Sequence, residues 1–311
     1  MTRLLSRLVS RPLLVLATAC SLTLTLAGCS SASTAPASTT DAGAEAEAEP
    51  KTFGGARPVT VHVPEGYTAG KAAPLVVMLH GYSSTPGATE LYFRMSGLAD
   101  AHGFFYVAPS GTLDSKQNRF WNATDACCDM DHTGVDDVAY ITGLVKEIQA
   151  AYAIDPRRIY VMGHSNGGFM THRLACDRAD LFAAGASFAG AVWLDPAKCN
   201  PSVPVGMLQI HGTKDDSVEY AGLPGVYPGA VETVSTWAKK NGCAEAASDG
   251  GTMHVTTEGA GQETLVTRHD GCTKNGGAEL WTIPDAPHVI VFTPESLEAI
   301  WKFFDAHAKP E

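Results

Sequence analysis

Arg158-Ile159-Tyr160-Val161-Met162-Gly163-His164-Ser165-Asn166-Gly167-Gly168-Phe169 is the stretch on which the reading of the fold turns. An apolar, β-branched run leads into a glycine, then a serine with glycines two residues to either side, then a helix-forming segment. A strand that turns sharply into a helix at the serine lifts its hydroxyl clear of the backbone, the geometry of a nucleophile elbow. Such a turn strains the serine backbone and brings strand and helix close together, where only residues without bulk fit. This accounts for Gly163, Gly167 and the additional Gly168. Ser165 is therefore the candidate nucleophile.

Outward from this stretch, strand signals fall at 59–63, 75–79, 104–108, 159–162, 184–188, 205–210 and 280–283. Several are continuous apolar runs, as parallel strands covered on both faces require. Helical segments lie between them. Val138, Ile141, Val145, Ile148 and Tyr152 recur at helical spacing and are closed by Asp155-Pro156. Further helices are expected near 90–102, 167–178, 230–241 and 295–307. The alternation predicts an α/β fold, with a doubly wound, mostly parallel sheet and helices on both faces. Residues 250–277, with strand candidates at 252–258 and 264–269, read as a hairpin inserted before the last strand.

A serine hydroxyl is a poor nucleophile until a base removes its proton, and the base needs an acid to orient it. In α/β-hydrolases the three follow in the order Ser, Asp, His on loops at the carboxyl ends of strands. The acid then comes from His211-Gly212-Thr213-Lys214-Asp215-Asp216, behind the strand at 205–210. Either carboxylate satisfies the order; the strand-end spacing favours Asp215, with Asp216 as a solvated loop carboxylate or turn cap. Of the later histidines, His254 and His269 sit in the hairpin and His307 on the last helix. His288, in Pro284-Asp285-Ala286-Pro287-His288, lies between the final strand and final helix and is the candidate base. Two backbone donors for the oxyanion are expected: the amide of Asn166, and that of Tyr82 in Leu79-His80-Gly81-Tyr82-Ser83. The Tyr82 ring is a candidate cleft wall or packing residue, and Trp121 lies near the cleft or closes the core. His80 is read as a brace for its loop.

The N-terminus carries Arg3, Arg7 and Arg11 and then an apolar stretch at 13–27, a secretory leader rather than a spanning helix. It ends in Leu26-Ala27-Gly28-Cys29, which resembles the lipobox of bacterial lipoproteins and implies lipidation of Cys29. The domains are thus a leader at 1–28, a lipidated cysteine with a Ser/Thr/Ala/Glu tether at 29–52, and one α/β body at 53–311. The tether has no apolar periodicity to bury. Export and a lipid anchor place the body at a bacterial membrane, facing the periplasm or the exterior. Without the three leader arginines the 22 basic residues fall to 19 against 33 acidic, a net charge of −14. That excess argues against a nucleic-acid partner.

Beyond Cys20 and Cys29 the body holds six cysteines, an even number that points to disulfides in an exported chain. Cys243–Cys272, bracketing an excursion, and Cys176–Cys199 are the preferred pairs. That leaves Cys127 and Cys128 as a vicinal pair or bonded elsewhere. The cluster Cys127, Cys128, Asp129, Asp131, His132 and Asp136 fits no common zinc spacing. It reads as a disulfide-stapled loop with Asp136 or Asp137 capping the next helix, and no metal is expected.

The chain resembles the polyhydroxybutyrate-depolymerase-type esterases, a branch of α/β-hydrolases that also contains feruloyl and acetylxylan esterases. The likeness rests on His80-Gly81, Phe120-Trp121-Asn122 followed by Cys127-Cys128, Val135-Asp136-Asp137-Val138, the serine stretch, His211-Gly212-Thr213 with Asp215, and Ile300-Trp301-Lys302-Phe303-Phe304. It runs from about Arg57 to Phe304. Where that family often follows its histidine with a tryptophan-proline pair, this chain has Val289-Ile290-Val291, a departure on the aromatic side of the cleft. The resemblance implies a cofactor-free serine esterase with the triad Ser165, Asp215 and His288, acting on an ester of a polyester or of a feruloylated or acetylated polysaccharide fragment. An acyltransferase of the cell envelope with the same triad, or a non-catalytic binding lipoprotein, are the alternatives.

Overall fold

The computed structural model describes residues 51–257 and 263–311; the leader, Cys29 and nearly all of the tether lie outside them. Ten strands form one sheet among the described residues. They are β1 Thr52–Phe53, β2 Val59–His62, β3 Ala73–Leu79, β4 Phe105–Val107, β5 Ile154–His164, β6 Ala184–Phe188, β7 Gly206–Gly212, β8 Ala247–Met253, β9 Thr264–His269 and β10 Gly277–Ile283. In space they run β1-β2-β4-β3-β5-β6-β7-β10-β9-β8. All neighbours from β4 through to β10 pair in parallel, and antiparallel strands extend both edges. Thr52, read from the sequence as the last residue of the tether, pairs with Thr60 in the edge ribbon.

Among the described residues six α-helices cover the sheet: α1 Pro86–Phe93, α2 Met95–His102, α3 Asp137–Ala151, α4 Asn166–Asp177, α5 Ala230–Lys240 and α6 Pro294–Ala306. Successive strand side chains point to opposite faces, and the core divides accordingly. Val76 and Met78 of β3, with Tyr160 and Met162 of β5, pack with Phe93, Met95, Ile300 and Trp301 from α1, α2 and α6. Leu75, Val77, Ile159 and Val161 pack instead with Ile141, Val145, Phe169 and Leu174 from α3 and α4. Both faces being buried, these strands show runs of apolar residues without alternation. This is the α/β-hydrolase fold that the sequence leads one to expect.

Several element boundaries differ from the sequence reading, three of them for a clear local reason. The helix expected at 90–102 is two helices. Thr85 caps α1 through Ala88 N–H with Pro86 in its first turn, and Arg94, in the left-handed region (φ 48°, ψ 43°), ends α1 before α2 begins. The helix expected to close at Asp155-Pro156 ends at Tyr152, whose backbone is extended, and β5 starts at Ile154. The first hairpin strand is 247–253 rather than 252–258, with a register shift between Asp249 and Thr252 where Gly251 has φ 83°. Gly250-Gly251 interrupts the apolar alternation by which such a strand is recognised.

The sharpest packing constraint lies between β5, β3 and α4. A Cβ on Gly167 would sit 2.2 Å from the carbonyl oxygen of Leu79, and one on Gly163 would sit 2.4 Å from that of Gly167. Both obstacles are backbone, so neither yields by a side-chain rotation. Gly167→Ala is expected to lower stability by roughly 3 kcal/mol or more. Gly97→Ala, in α2 with open space around its Cβ, should instead be neutral or stabilising by up to about 1 kcal/mol. Denaturant midpoints of the two variants check this, and equal midpoints would contradict the close approach.

Candidate active site

β5 ends at His164 and α4 begins at Asn166, so Ser165 alone makes the turn, at φ 57° and ψ −120°. The conformation costs on the order of 1–3 kcal/mol and has to be held from outside. Ser165 N–H donates to Phe188 O at 2.7 Å, and Ser165 O accepts from Phe169 N–H at 3.0 Å. The serine stands at the helix N-cap, yet its hydroxyl makes no capping bond.

His288 follows β10, and its Nδ1–H donates to Asp215 Oδ2 at 2.7 Å. Asp215 follows β7 and is buried, and its other oxygen accepts from the N–H groups of Ser217 and Val218 at 2.9 and 2.8 Å. His211 Nε2 lies 3.2 Å from Oδ2. Burial pushes this carboxyl up, but the hydrogen bonds from His211, His288 and the Val218 amide outweigh it and hold the group well below the usual carboxylate range. Asp215 is thus an anion at neutral pH. Asp216 is exposed and accepts only from Ser217 Oγ.

Ser165 and His288 line one cavity of about 340 Å³, with Gly81, Tyr82, Tyr92 and Val289 also at its wall. His254 is exposed in the hairpin, His269 Nδ1–H donates to Ala244 O, and His307 Nδ1–H donates to Phe303 O. None of the three borders the cavity. His164, beside the nucleophile, donates its Nε2–H to the carbonyl of His288 at 2.9 Å. Burial and the neighbouring His288 push its pKa down to about 4, so it supports the candidate base as a neutral imidazole.

Asn166 is the first residue of α4, so its N–H has no intrahelical acceptor and carries the positive end of the helix dipole. The loop with Gly81 and Tyr82 abuts Ser165: a Cβ on Gly81 would lie 3.3 Å from Ser165 Cβ. His80 braces that loop, donating Nδ1–H to Gly81 O and accepting Gly111 N–H at Nε2, both at 2.8 Å. The Tyr82 hydroxyl donates to Asp114 Oδ2 at 2.5 Å, tethering the ring at the cavity wall.

Trp121 does not border the cleft. It is fully buried, its indole N–H donates to His80 O at 3.0 Å, and its backbone N–H donates to Asn166 Oδ1 at 2.7 Å. The indole of Trp121, within the motif Phe120-Trp121-Asn122, supports the 80–82 loop from beneath. Asn166 Nδ2 reaches Trp121 O at 2.9 Å and Cys127 Sγ at 3.4 Å. Cys127 is bonded to Cys128, Cys176 to Cys199 and Cys243 to Cys272. Asp136 caps α3 through Ala139 N–H, whereas Asp137 pairs with Arg57 at 2.7 Å.

The sequence reading missed the cavity wall on α1, where Ala88, Thr89, Tyr92 and Phe93 line the same cavity as Ser165. No motif announces it, because α1 approaches the site only through the packing of the sheet. It also gave no role to His164 or His211, although their places, directly before Ser165 and at the end of β7, were visible signals.

The pattern of the family described as Esterase PHB depolymerase matches residues 59–232. The chain belongs to this family. It is 32% identical over 198 residues to feruloyl esterase B of Piromyces equi, covering 60% of this chain and 36% of that protein. It is 37% identical over 143 residues to poly(3-hydroxyalkanoate) depolymerase C of Paucimonas lemoignei, covering 46% and 32%. The chain therefore spans about a third of the length of either relative. Its fold is similar to that of the acetyl xylan esterase from Aspergillus awamori, with a TM-score of 0.60 at 17% identity, over 83% of this chain and 100% of that one.

Burial pushes three histidines, His80, His164 and His172, down to about 4 from an ordinary 6.5. Between those values the unfolded chain binds protons that the folded state refuses. Stability therefore falls as pH drops from about 6.5 to 4, by up to about 1.4 kcal/mol per unit for each such group. The melting temperature should decline steadily from pH 7 to 4.5, with proton uptake on unfolding; a flat profile would contradict it.

Proposed function

We propose that this protein is an exported serine esterase, tethered to the membrane through a lipidated Cys29, that hydrolyses carboxylic esters by way of an acyl-enzyme. One observation carries the reading. Ser165, in a strained turn with its hydroxyl uncommitted to the helix, opens on the same cavity as His288, whose Nδ1 is bonded to the Asp215 carboxylate.

In the proposed mechanism His288 Nε2 takes the Ser165 proton as Oγ bonds to the ester carbonyl carbon. The oxyanion forms against the amides of Asn166 and Tyr82. The imidazolium then returns its proton to the departing alcohol oxygen as the carbonyl carbon–oxygen bond breaks. Water repeats the sequence on the acyl-enzyme and releases the acid. Asp215 stays ionised throughout, holding the imidazole tautomer and stabilising the imidazolium.

The relatives' names, a feruloyl esterase, a polyhydroxyalkanoate depolymerase and an acetyl xylan esterase, support an ester of a polymer or polymer fragment as substrate. The cavity lies toward the small end of ligand pockets. A short or compact acyl group inserted between Ala88, Tyr92 and Val289 suits it, with the polymer left outside.

Hydrolysis of p-nitrophenyl acyl esters, methyl ferulate, acetylated xylan and short-chain polyhydroxybutyrate tests the reading. Ser165→Ala should lower kcat by about 10³-fold or more without changing the melting temperature, and should abolish fluorophosphonate labelling. Near-wild-type turnover in that variant would sink the assignment. The anchor is tested in cells: Cys29→Ser should lose radiolabelled palmitate and leave the membrane fraction. Palmitate in the variant, or none in the wild type, would remove the anchor from the proposal.

A further inference from the structure

Behind Asp215, on the side away from the cavity, runs a chain of buried polar side chains that the ester mechanism does not use. Trp237 of α5 donates its indole N–H to His172 Nδ1 at 2.9 Å. His172 of α4 donates Nε2–H to Gln209 Oε1 at 2.9 Å. Gln209 of β7 spends its two amide hydrogens on Gly190 O at 2.9 Å and on His211 Nδ1 at 3.2 Å. His211 then donates Nε2–H to Val218 O at 2.8 Å, with Asp215 Oδ2 at 3.2 Å. Trp237, His172, Gln209 and His211 are each at most 2% exposed.

The direction of every bond follows from one end. An indole nitrogen is a donor only, so His172 Nδ1 must accept and its proton must sit on Nε2. Gln209 must then present its oxygen to His172 and its nitrogen to His211, which leaves His211 Nδ1 as an acceptor. A second proton on His211 would face an amide N–H. Inverting the amide would instead oppose N–H to His172 Nε2–H, and His172 cannot yield because Trp237 holds its other nitrogen. Burial reinforces this by pushing His172 down to about 4.

We propose that Trp237, His172 and Gln209 are positioning residues that hold His211 as a neutral imidazole protonated on Nε2, so that the negative charge of Asp215 is reserved for His288. An imidazolium 3.2 Å from Oδ2 would neutralise that charge and weaken His288 as a base. Among the described residues, the titratable groups facing His211 are Asp215, the Tyr220 ring at 5.6 Å, and, across Asp215, His288 with His164 beside it; His172 bonds to Gln209 and Trp237. An apolar core would pack these elements as well or better, since buried polar networks stabilise little.

The inference rests on the triad reading, and its test separates the two. Imidazole ¹⁵N spectra of the wild-type protein, assigned with His172→Gln and His211→Gln, should show both rings neutral and Nε2-protonated from pH 5 to 8. Titration of either ring in that range, or an Nδ1–H tautomer, overturns the proposal whether or not any ester is hydrolysed. Gln209→Glu supplies a carboxylate that accepts from both histidines and so charges His211. Its acid limb of kcat/KM on p-nitrophenyl acetate should move down by about half a pH unit or more, with kcat about ten-fold lower, while Ser165 still labels with fluorophosphonate. A merely packing role would lower kcat or stability and leave the limb where it is, and an unmoved limb in the folded variant overturns the proposal. Should that variant not fold, the wild-type spectra decide.

Discussion

The backbone of Ser165 carries more of this structure's organisation than any contact in its core. A residue with a side chain held at φ 57° returns to an ordinary conformation unless its neighbours forbid it. Here β6 forbids it by accepting the Ser165 N–H at Phe188 O, and α4 forbids it by donating Phe169 N–H to Ser165 O. Gly163 and Gly167 let β5, β3 and α4 approach until no Cβ fits between them. That approach sets where α4 begins and where the 80–82 loop lies, and so which residues border the cavity beside Ser165.

The second constraint is polar. A buried imidazole is expensive when charged, and burial holds His80, His164 and His172 well below the usual imidazole range. His80 bonds to Gly81 O and Gly111 N–H, and His172 to Gln209 and Trp237. His164 donates to His288 O. Asp215, held as a carboxylate, gathers backbone donors from Ser217 and Val218 as well as the two rings beside it. That buried anion orients the candidate base through its Nδ1. In the proposed mechanism that orientation is kept while protons move across His288.

Much of this was legible in the chain itself. The glycine pattern about Ser165 marked the turn, because steric exclusion acts between residues close in sequence. The unbroken apolar runs at 75–79 and 159–162 marked a doubly covered sheet, since period-two burial on both faces leaves no polar positions. The sequence order of Ser165, Asp215 and His288 followed from strand ends lying at one edge of a parallel sheet. What escaped it was short-range or three-dimensional. The break at Arg94 depends on one residue's backbone angle, which apolar spacing does not record. Trp121 was ambiguous because an indole at a motif suits a cleft as well as a core, and only its bonds to His80 and Asn166 settle its burial.

By itself, then, the sequence determined the family, the layered α/β architecture and the residues able to form a nucleophile, a base and an acid, because each depends on local sterics, periodic burial or chain order. The tertiary structure decided which groups surround them. The α1 wall of the cavity, the support of His288 by His164 from 124 positions away, and the bonds from Trp237 to His172 and from His172 to Gln209, 65 and 37 positions apart, join residues on separate elements. Hydrogen-bond direction passes from one such residue to the next only when folding has brought a donor-only group against an imidazole, and no pattern in a linear chain encodes that contact.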